Sequence, residues 1–242
     1  MIIDNLKISV RYPKKSSFLP PKFGQICCRK IAKWEHCIAA EIINVNDSVS
    51  LYKNLIEVNA FDEKGYFIGE NGAFESASDI IHYLLPKEKY IFVTHLTFTS
   101  LHKSRKGGPL LSTWLYSSKI VNKLKIQFPK LKWKDLSRYH FPKVIINNDL
   151  IIRKNSKNIL QFDITNLSSS LHSFQVNVGF YSHDGKLIGG AMGLAHRNIK
   201  ANVPKTMKIK LPFELPPDCR YIIQPYADTP FLRFFLKRKK IK

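Results

Sequence analysis

Short stretches of alternating apolar and polar residues recur along the chain and are bounded by turn residues. In the first half, residues 42–45 and 55–61 show this pattern, and in the second half residues 162–165 and 174–181 show it. Period-two alternation over such lengths is typical of half-buried strands. The sequence therefore predicts a mostly β protein.

The predicted strands of the two halves are punctuated in the same way. Gly65 and Gly185 each follow an alternating strand, where a hairpin needs a residue that tolerates positive φ. Pro86 and Pro204 each precede a closing strand, where a proline without an N–H is tolerated. Short strands at regular spacing with turns between them predict a β-sandwich in each half.

The chain matches itself when it is shifted by 120 residues. Residues 46–51 then fall on 166–171 and residues 65–69 on 185–189 without a gap. After a slip of two residues, 85–87 falls on 203–205. Matches at successive landmarks in one order indicate an internal duplication, so we expect two tandem immunoglobulin-like β-sandwich modules.

The second copy, about residues 150–225, carries the features of a known family. It has an Asn-Leu-Ser-Ser turn at 166–169, an alternating strand, an Asp-Gly-Lys-Leu-Ile-Gly hairpin at 184–189 and a Pro-Lys pair before its last strand. This order resembles the small bacterial immunoglobulin-like modules of the FxLYD type, and residues 30–97 resemble them less closely. The resemblance implies a binding or structural role without fixed catalytic residues.

Positive charge is distributed unevenly along the chain. The 39 Lys and Arg residues exceed the 18 Asp and Glu residues, which gives a formal net charge of +21. The net charge is +6 over residues 1–38, −5 over 39–97, +12 over 98–160 and +8 over 161–242. Such local excesses predict an anionic partner. Nucleic acid is favoured over an anionic membrane surface, and an acidic protein is the alternative.

The most basic part of the chain is predicted to connect the two modules. The expected organisation is a first module with its basic N-terminal region over 1–102, a connector over 103–142, a second module over 143–228 and a tail over 229–242. After Pro109, the apolar residues Leu110, Trp114, Val121, Leu124 and Phe128 recur at steps of four, seven, three and four residues. This spacing predicts an amphipathic helix from 109 to about 128 that buries Trp114, Leu124 and Phe128.

Cations interleaved with aromatic residues are typical of nucleic-acid interfaces, because rings stack on bases while cations neutralise phosphates. Trp133, between Lys132 and Lys134, is interpreted either as such a ring or as a core residue. The tail over 229–242 joins an apolar patch to a cationic cluster. It could pack its aromatic residues on the protein and leave its cations free, enter a nucleic-acid groove, or lie on an anionic membrane surface. The predicted nucleic-acid-binding residues are Lys103, Arg105, Lys106, Lys119, Lys123, Lys130, Lys132, Trp133, Lys134, Arg138, Lys237, Arg238, Lys239 and Lys240.

The sequence contains no motif for catalysis, and we expect neither catalytic residues nor a cofactor. Cys27, Cys28, His36 and Cys37 lack the paired spacing of a zinc site, so the cysteines are expected to be reduced and buried and no metal is predicted. The pair at 183–184 is assigned to a hairpin turn. Without a signal-like or membrane-spanning apolar stretch, a cytoplasmic location is expected.

Two hypotheses of different class follow. The first is a nucleic-acid-binding accessory protein that grips the phosphate backbone of DNA or RNA without strong sequence readout. The second is an interaction or scaffold subunit of a larger complex that uses sheet edges and charge complementarity.

Overall fold

A computed structural model describes residues 1–14, 16–32, 35–71, 80–97, 120–139, 141–154, 157–168, 174–194 and 199–227. The described residues are mostly β and contain no helix. Their strands are β1 (Lys7–Arg11), β2 (Lys22–Ala32), β3 (Glu35–Ile43), β4 (Ser50–Leu55), β5 (Glu57–Phe61), β6 (Phe67–Glu70), β7 (Ile80–Leu84), β8 (Lys89–Thr97), β9 (Lys123–Gln127), β10 (Trp133–Lys134), β11 (Val144–Lys154), β12 (Lys157–Asn166), β13 (Phe174–Tyr181), β14 (Leu187–Leu194), β15 (Lys205–Leu211) and β16 (Arg220–Ala227).

The strands of the first half form a seven-stranded sheet and a small three-stranded sheet. Their orders are β1-β9-β5-β6-β8-β3-β2 and β10-β4-β7. Alternate residues of the long strands, such as Ile38 and Ile42 of β3 and Val58 of β5, are fully buried in one core. Because successive side chains point to opposite faces of a strand, the residues between them face away from this core.

The strands of the second half form two three-stranded sheets with a core between them. Their orders are β11-β12-β15 and β14-β13-β16. Leu160 and Phe162 of β12 and Val178 and Phe180 of β13 are fully buried in this core. The arrangement is a β-sandwich.

The pairing pattern of the first half recurs in the second. The antiparallel set β2-β3-β8 has the same order and directions as β11-β12-β15, and β6-β5-β9 has those of β14-β13-β16. Gly65 lies between β5 and β6 with φ of 82°, and Gly185 lies between β13 and β14 with φ of 81°. The two glycines thus adopt the positive φ expected of their hairpins.

The two sandwiches pack directly on one another, with the sheet face of β2, β3 and β8 against β13 and β14. Cys37, Ala39, Val93, Tyr181 and Leu187 form a buried cluster at this contact. The backbones approach so closely that a Cβ at Gly190 would lie 2.9 Å from Cβ of Ala39. The contact is therefore as dry and tight as a core.

Polar side chains from both sandwiches complete this contact. The Asn177 amide donates to the Ile91 carbonyl at 2.8 Å, and the Ile91 N–H donates to the Gln224 side chain at 2.7 Å. Gln25 spans the same contact through the Gly185 carbonyl at 2.9 Å and the Leu187 N–H at 2.7 Å. These bonds satisfy backbone groups that the contact removes from water.

The predicted helix is wrong at its C-terminal end, where residues 123–127 form strand β9. Leu124, Ile126 and Phe128 are buried while Lys123 is exposed, which is a period of two. The helical prediction used Leu124 and Phe128 and ignored Ile126 between them. The part of the predicted helix that contains Trp114 lies outside the described residues, and the predicted connector over 103–142 includes β9 and β10, which pair with strands of the first half.

Candidate nucleic-acid interface

Six of the predicted nucleic-acid-binding residues lie in the described part of the chain, and all six are in or beside β9 and β10. They are Lys123, Lys130, Lys132, Trp133, Lys134 and Arg138. The other eight lie outside the described residues, and they are Lys103, Arg105, Lys106, Lys119, Lys237, Arg238, Lys239 and Lys240.

Strands β1 and β9 pair in parallel and bring four cations to one sheet face. Lys7 lies opposite Lys123. Lys125 lies two residues further along β9, opposite Ser9, and Arg11 lies four residues after Lys7 along β1, opposite Gln127. Since Leu124 and Ile126 point into the core, these cations point outward. Sequence analysis missed Lys7, Arg11 and Lys125 as members of this set. The alternation of β9 was a usable signal for Lys125 alone, because Lys7 and Arg11 join the set only through the pairing of β1 with β9.

This sheet face carries one ordered acidic contact next to the cations. Glu57 of β5 accepts a hydrogen bond from the Gln127 side chain of β9. Lys125 itself lies between Ser9 and Asn59 in the register, with no carboxylate directly opposite. The face is therefore positive along β1 and β9 and turns acidic only at β5.

The short strand β10 places a second group of cations among aromatic rings. It pairs with β4, and the Lys132 backbone is held on both sides by Asn54, through its N–H at 2.7 Å and its carbonyl at 3.0 Å. Lys134 Nζ lies 4.9 Å from the ring centroid of Tyr52 and 5.1 Å from that of Tyr139. The rings orient the ammonium group while leaving its charge uncompensated.

Trp133 packs within the first half of the chain, as one of its two interpretations expected, and its stacking on a base stays a prediction. It is half-buried against the first core and meets the ring of Phe18 edge-on, with 5.7 Å between centroids. Its Nε1 donates to the Ser16 hydroxyl at 3.2 Å. Phe18 is more exposed, at 39%, so it is the more accessible of the two rings for stacking.

A cavity of about 420 Å³ opens beside these rings, lined by residues 12–14, 16–20 and Leu131. Tyr12 forms one wall and stacks on Phe128 at 5.6 Å between centroids. Its hydroxyl donates to the Pro21 carbonyl at 2.5 Å, and burial raises the pKa of Tyr12 to about 12. Tyr12 is thus a neutral, fixed wall, and Lys14 supplies the cation of the cavity.

The two groups of cations follow one another in sequence. The Phe128 N–H donates to the Arg11 carbonyl at 3.1 Å where β1 and β9 end. The next cations are Lys14 after β1 and Lys130 after β9. We name this set of cations the basic flank, and it comprises Lys7, Arg11, Lys14, Lys123, Lys125, Lys130, Lys132, Lys134 and Arg138.

The lysines of the β10 segment have no carboxylate partner among the described residues. Lys130 and Lys132 are exposed, and no ion pair within the described ranges involves them or Lys134. Asp135 is the acidic neighbour in sequence, and hydrogen bonds from Ser137 hold the pKa of its carboxyl below the usual value. The net charge of this segment is still strongly positive.

Two aspartates stabilise the turns of the hairpins. Asp62 accepts from the N–H groups of Lys64 and Tyr66 in the first hairpin. Asp184 accepts from the Ser182 hydroxyl in the second hairpin, which confirms that the pair at 183–184 belongs to a turn. No group of three or more His, Cys, Asp or Glu side chains within the described ranges could hold a metal ion.

The cysteines are free and mostly buried, as expected. Cys28 lies in the first core, and Cys27 and Cys37 lie at the contact between the sandwiches. The Cys37 thiol donates to the Gly190 carbonyl at 3.3 Å. The three side chains therefore act as small apolar residues.

Comparison with known proteins finds no family model that matches the chain and no curated protein with significant similarity to it. The described residues contain no helix with the length and apolar character needed to cross a bilayer.

Proposed function

We propose that this protein binds nucleic acid through the basic flank, as a non-enzymatic accessory protein that contacts the phosphate backbone. One observation carries the proposal. Lys7 and Lys123, which are distant in sequence, lie opposite each other on β1 and β9, and the cations that follow β9 in sequence lie in the β10 segment among aromatic rings.

The spacing of the cations suits a linear polyanion. A strand rises by about 3.3 Å per residue, so the alternating cations of β1 and β9 span roughly 13 Å from Lys7 to Arg11. Lys130, Lys132 and Lys134 of the β10 segment follow β9 directly in sequence. Neutralising phosphates along the track releases condensed counterions, which drives binding and makes it dependent on salt.

Strong sequence readout is not part of the proposal. Lysines predominate in the basic flank, and an ammonium group is a point charge without the planar fork that reads a base edge. Contacts to phosphate fix the position of a protein but carry no sequence information. The chemistry fits DNA and RNA alike.

We also infer that the two sandwiches are copies of one immunoglobulin-like module, of the kind that the FxLYD type represents. The recurring strand pairing and the matching hairpin glycines Gly65 and Gly185 support this origin. In this proposal, the protein acts in the cytoplasm, where buried free thiols such as those of Cys28 and Cys37 stay reduced. It uses no cofactor.

The test is a binding titration of labelled DNA and RNA at several salt concentrations. Each phosphate contact adds about 0.9 to the slope of log affinity against log salt on duplex DNA, so replacing Lys130, Lys132 and Lys134 by Ala should lower that slope by up to about 2.7. The matched control replaces three exposed lysines of the second sandwich, and these are Lys200, Lys208 and Lys210.

The control should keep most of the affinity and slope, because it changes the net charge equally without touching the flank. Equal losses in both triple variants would mean that net charge alone drives binding. If neither DNA nor RNA binds at low salt, the proposal is wrong.

A further inference from the structure

The second sandwich has an open side between strands β14 and β15. These strands belong to opposite sheets, and each pairs with only one neighbour within the described ranges. A cavity of about 490 Å³ lies between them, lined by Met192, Gly193 and residues 206–210. The floor is apolar, with Met207 and Ile209 almost fully buried.

The corresponding side of the first sandwich is closed. There β6 pairs with β8 through Glu70 and Thr97, which joins the two sheets into one. In the recurring pattern β14 takes the place of β6 and β15 that of β8, but no bridge links them in the described part of the chain. Among the residues that the structure describes, β14 and β15 therefore each keep one unpaired edge, whereas β6 and β8 pair with each other.

Charge on β15 restricts what can occupy this edge. Lys208 and Lys210 are exposed and alternate with the buried Met207 and Ile209, and Lys205 lies at the start of the strand. Like charges directly opposite each other on paired strands are destabilising, so pairing of β15 with β15 of a second copy is disfavoured. A strand that carries carboxylates on the same face gains from these lysines instead.

Neighbouring side chains leave the lysines available. In the described part of the chain, Asp163 on β12 lies opposite Thr206 of β15, and its carboxylate accepts hydrogen bonds from Thr206 at 2.6 Å and Asn148 at 2.8 Å. These bonds lower the pKa of Asp163. No ion pair of Lys208 or Lys210 occurs among the residues that the structure describes.

A glycine preserves the shape of the cavity. A Cβ at Gly193 would lie 2.8 Å from Ile209 Cδ1, closer than side chains tolerate. The absence of a side chain leaves Ile209 in its position in the floor.

From these observations we propose that β15 binds an extended acidic segment of another protein by strand addition. The peptide backbone pairs with the free edge of β15, apolar side chains of the peptide enter the cavity, and its carboxylates lie beside Lys208 and Lys210. Because successive side chains of a strand point to opposite faces, the apolar side chains of the peptide face the cavity while its carboxylates face the lysines. The site is distinct from the basic flank, which lies on the first sandwich.

The experiment uses a labelled peptide of eight residues in which Glu and Val alternate, added to the full chain. It should bind, while a peptide in which Lys replaces Glu should not, and N-methylation of alternate amides in the acidic peptide should abolish binding. Amide hydrogen exchange should show added protection at residues 205–211 when the acidic peptide is bound.

Charge reversal at the edge should weaken peptide binding at least tenfold in the variant K208E/K210E. The control K64E/K200E makes the same net change at exposed lysines elsewhere and should leave the peptide affinity within about twofold. Affinity for nucleic acid should persist in K208E/K210E, which separates this proposal from the proposed function.

Several outcomes would overturn the inference. These are equal binding of the basic peptide, indifference to N-methylation, protection confined to other strands, and an equal loss in the control variant. Protection of residues 205–211 by a labelled oligonucleotide in place of the peptide would assign the edge to the nucleic-acid interface.

Discussion

The phenol of Tyr181 in the second sandwich donates a hydrogen bond to the buried Glu41 carboxylate in the first, with 3.0 Å between the two oxygens. The same carboxylate accepts from Lys89 Nζ at 2.8 Å and from the Gln25 N–H at 3.2 Å. Glu41 is therefore a charged group at the contact between the sandwiches, and its environment compensates it with three donors.

Replacing Tyr181 by Phe should destabilise the protein by about 1.5–3 kcal/mol, because a donor to a buried charge is lost. Chemical denaturation measures this change. The control is Tyr221→Phe, which removes a bond of 2.6 Å to Asp149 at an exposed site and should cost less than about 1 kcal/mol. Equal losses of stability in the two variants would show that the bond to buried Glu41 contributes no more than the exposed bond to Asp149.

Stability should also depend on pH through Glu41. Burial by itself raises the pKa of this carboxyl, but the bonds from Lys89, Gln25 and Tyr181 outweigh it and hold the pKa below the usual 4.5. A carboxyl with a lowered pKa in the folded state contributes stability that is present above pH 4.5 and is lost as the pH falls through the folded value. Glu41→Gln should flatten the part of the stability profile that lies below pH 4.5, and an unchanged profile would contradict the assignment.

The contact between the sandwiches should be sensitive to volume at Gly190. A Cβ there would meet Val93 Cγ2 at 2.7 Å and Ala39 Cβ at 2.9 Å. Gly190→Ala should therefore cost about 1–3 kcal/mol through overpacking, as measured by thermal or chemical unfolding. A substitution that leaves stability unchanged would mean that the two sandwiches are not docked as described.

The alternation of apolar residues was enough to predict the β class and the hairpins at Gly65 and Gly185, because period and turn chemistry are local. It failed at residues 123–127, where Leu124 and Phe128 fit a helical period as well as a strand period. These residues form a strand because they pair with β1 and β5, which are distant in sequence. Nothing local encodes such partners.

The candidate site was predictable in the same partial way. The Lys-Trp-Lys motif around Trp133 identified the β10 segment from composition alone. Lys7 and Arg11 could not be added, since they join the flank only through the parallel pairing of β1 with β9. The open edge of β15 was invisible in the sequence because it depends on which strands stay unpaired.

Thiol labelling should distinguish the cysteines by burial. Burial raises the pKa of Cys27 to about 11 and of Cys37 to about 12, and it raises the pKa of Cys28 further. Cys219 is only half-buried, so at pH 8 it should be the one thiol that reacts rapidly in the folded protein. Cys219→Ser should remove that rapid phase, and rapid labelling of two or more thiols would show that the contact between the sandwiches opens readily.

Aromatic residues beside the basic flank should contribute more to the binding of single strands than to the binding of duplexes, because only unpaired bases offer a free face for stacking. Phe18→Ala should weaken binding of single-stranded nucleic acid by about 1–3 kcal/mol per base stacked, with little effect on duplex DNA. The exposed Tyr66→Ala serves as a control on the first hairpin, which lies outside the flank. Equal losses for both nucleic acids would show that the ring supports the fold instead of stacking on a base.

The strongest test of the basic flank is whether its two halves act as one surface. Lys123 and Lys125 lie on β9, whereas Lys130, Lys132 and Lys134 lie in and before β10. If one phosphate backbone crosses both groups, removing the first pair should lower the salt slope by about 1.8, the second group by about 2.7, and all five by about 4.5. Such additivity is expected of contacts that do not touch each other. The matched control is Lys208→Ala with Lys210→Ala on the second sandwich, which should leave the slope unchanged because β15 lies outside the flank. A slope that falls with only one of the two groups would confine the interface to that group, and a slope that falls with the β15 control would extend it to the second sandwich.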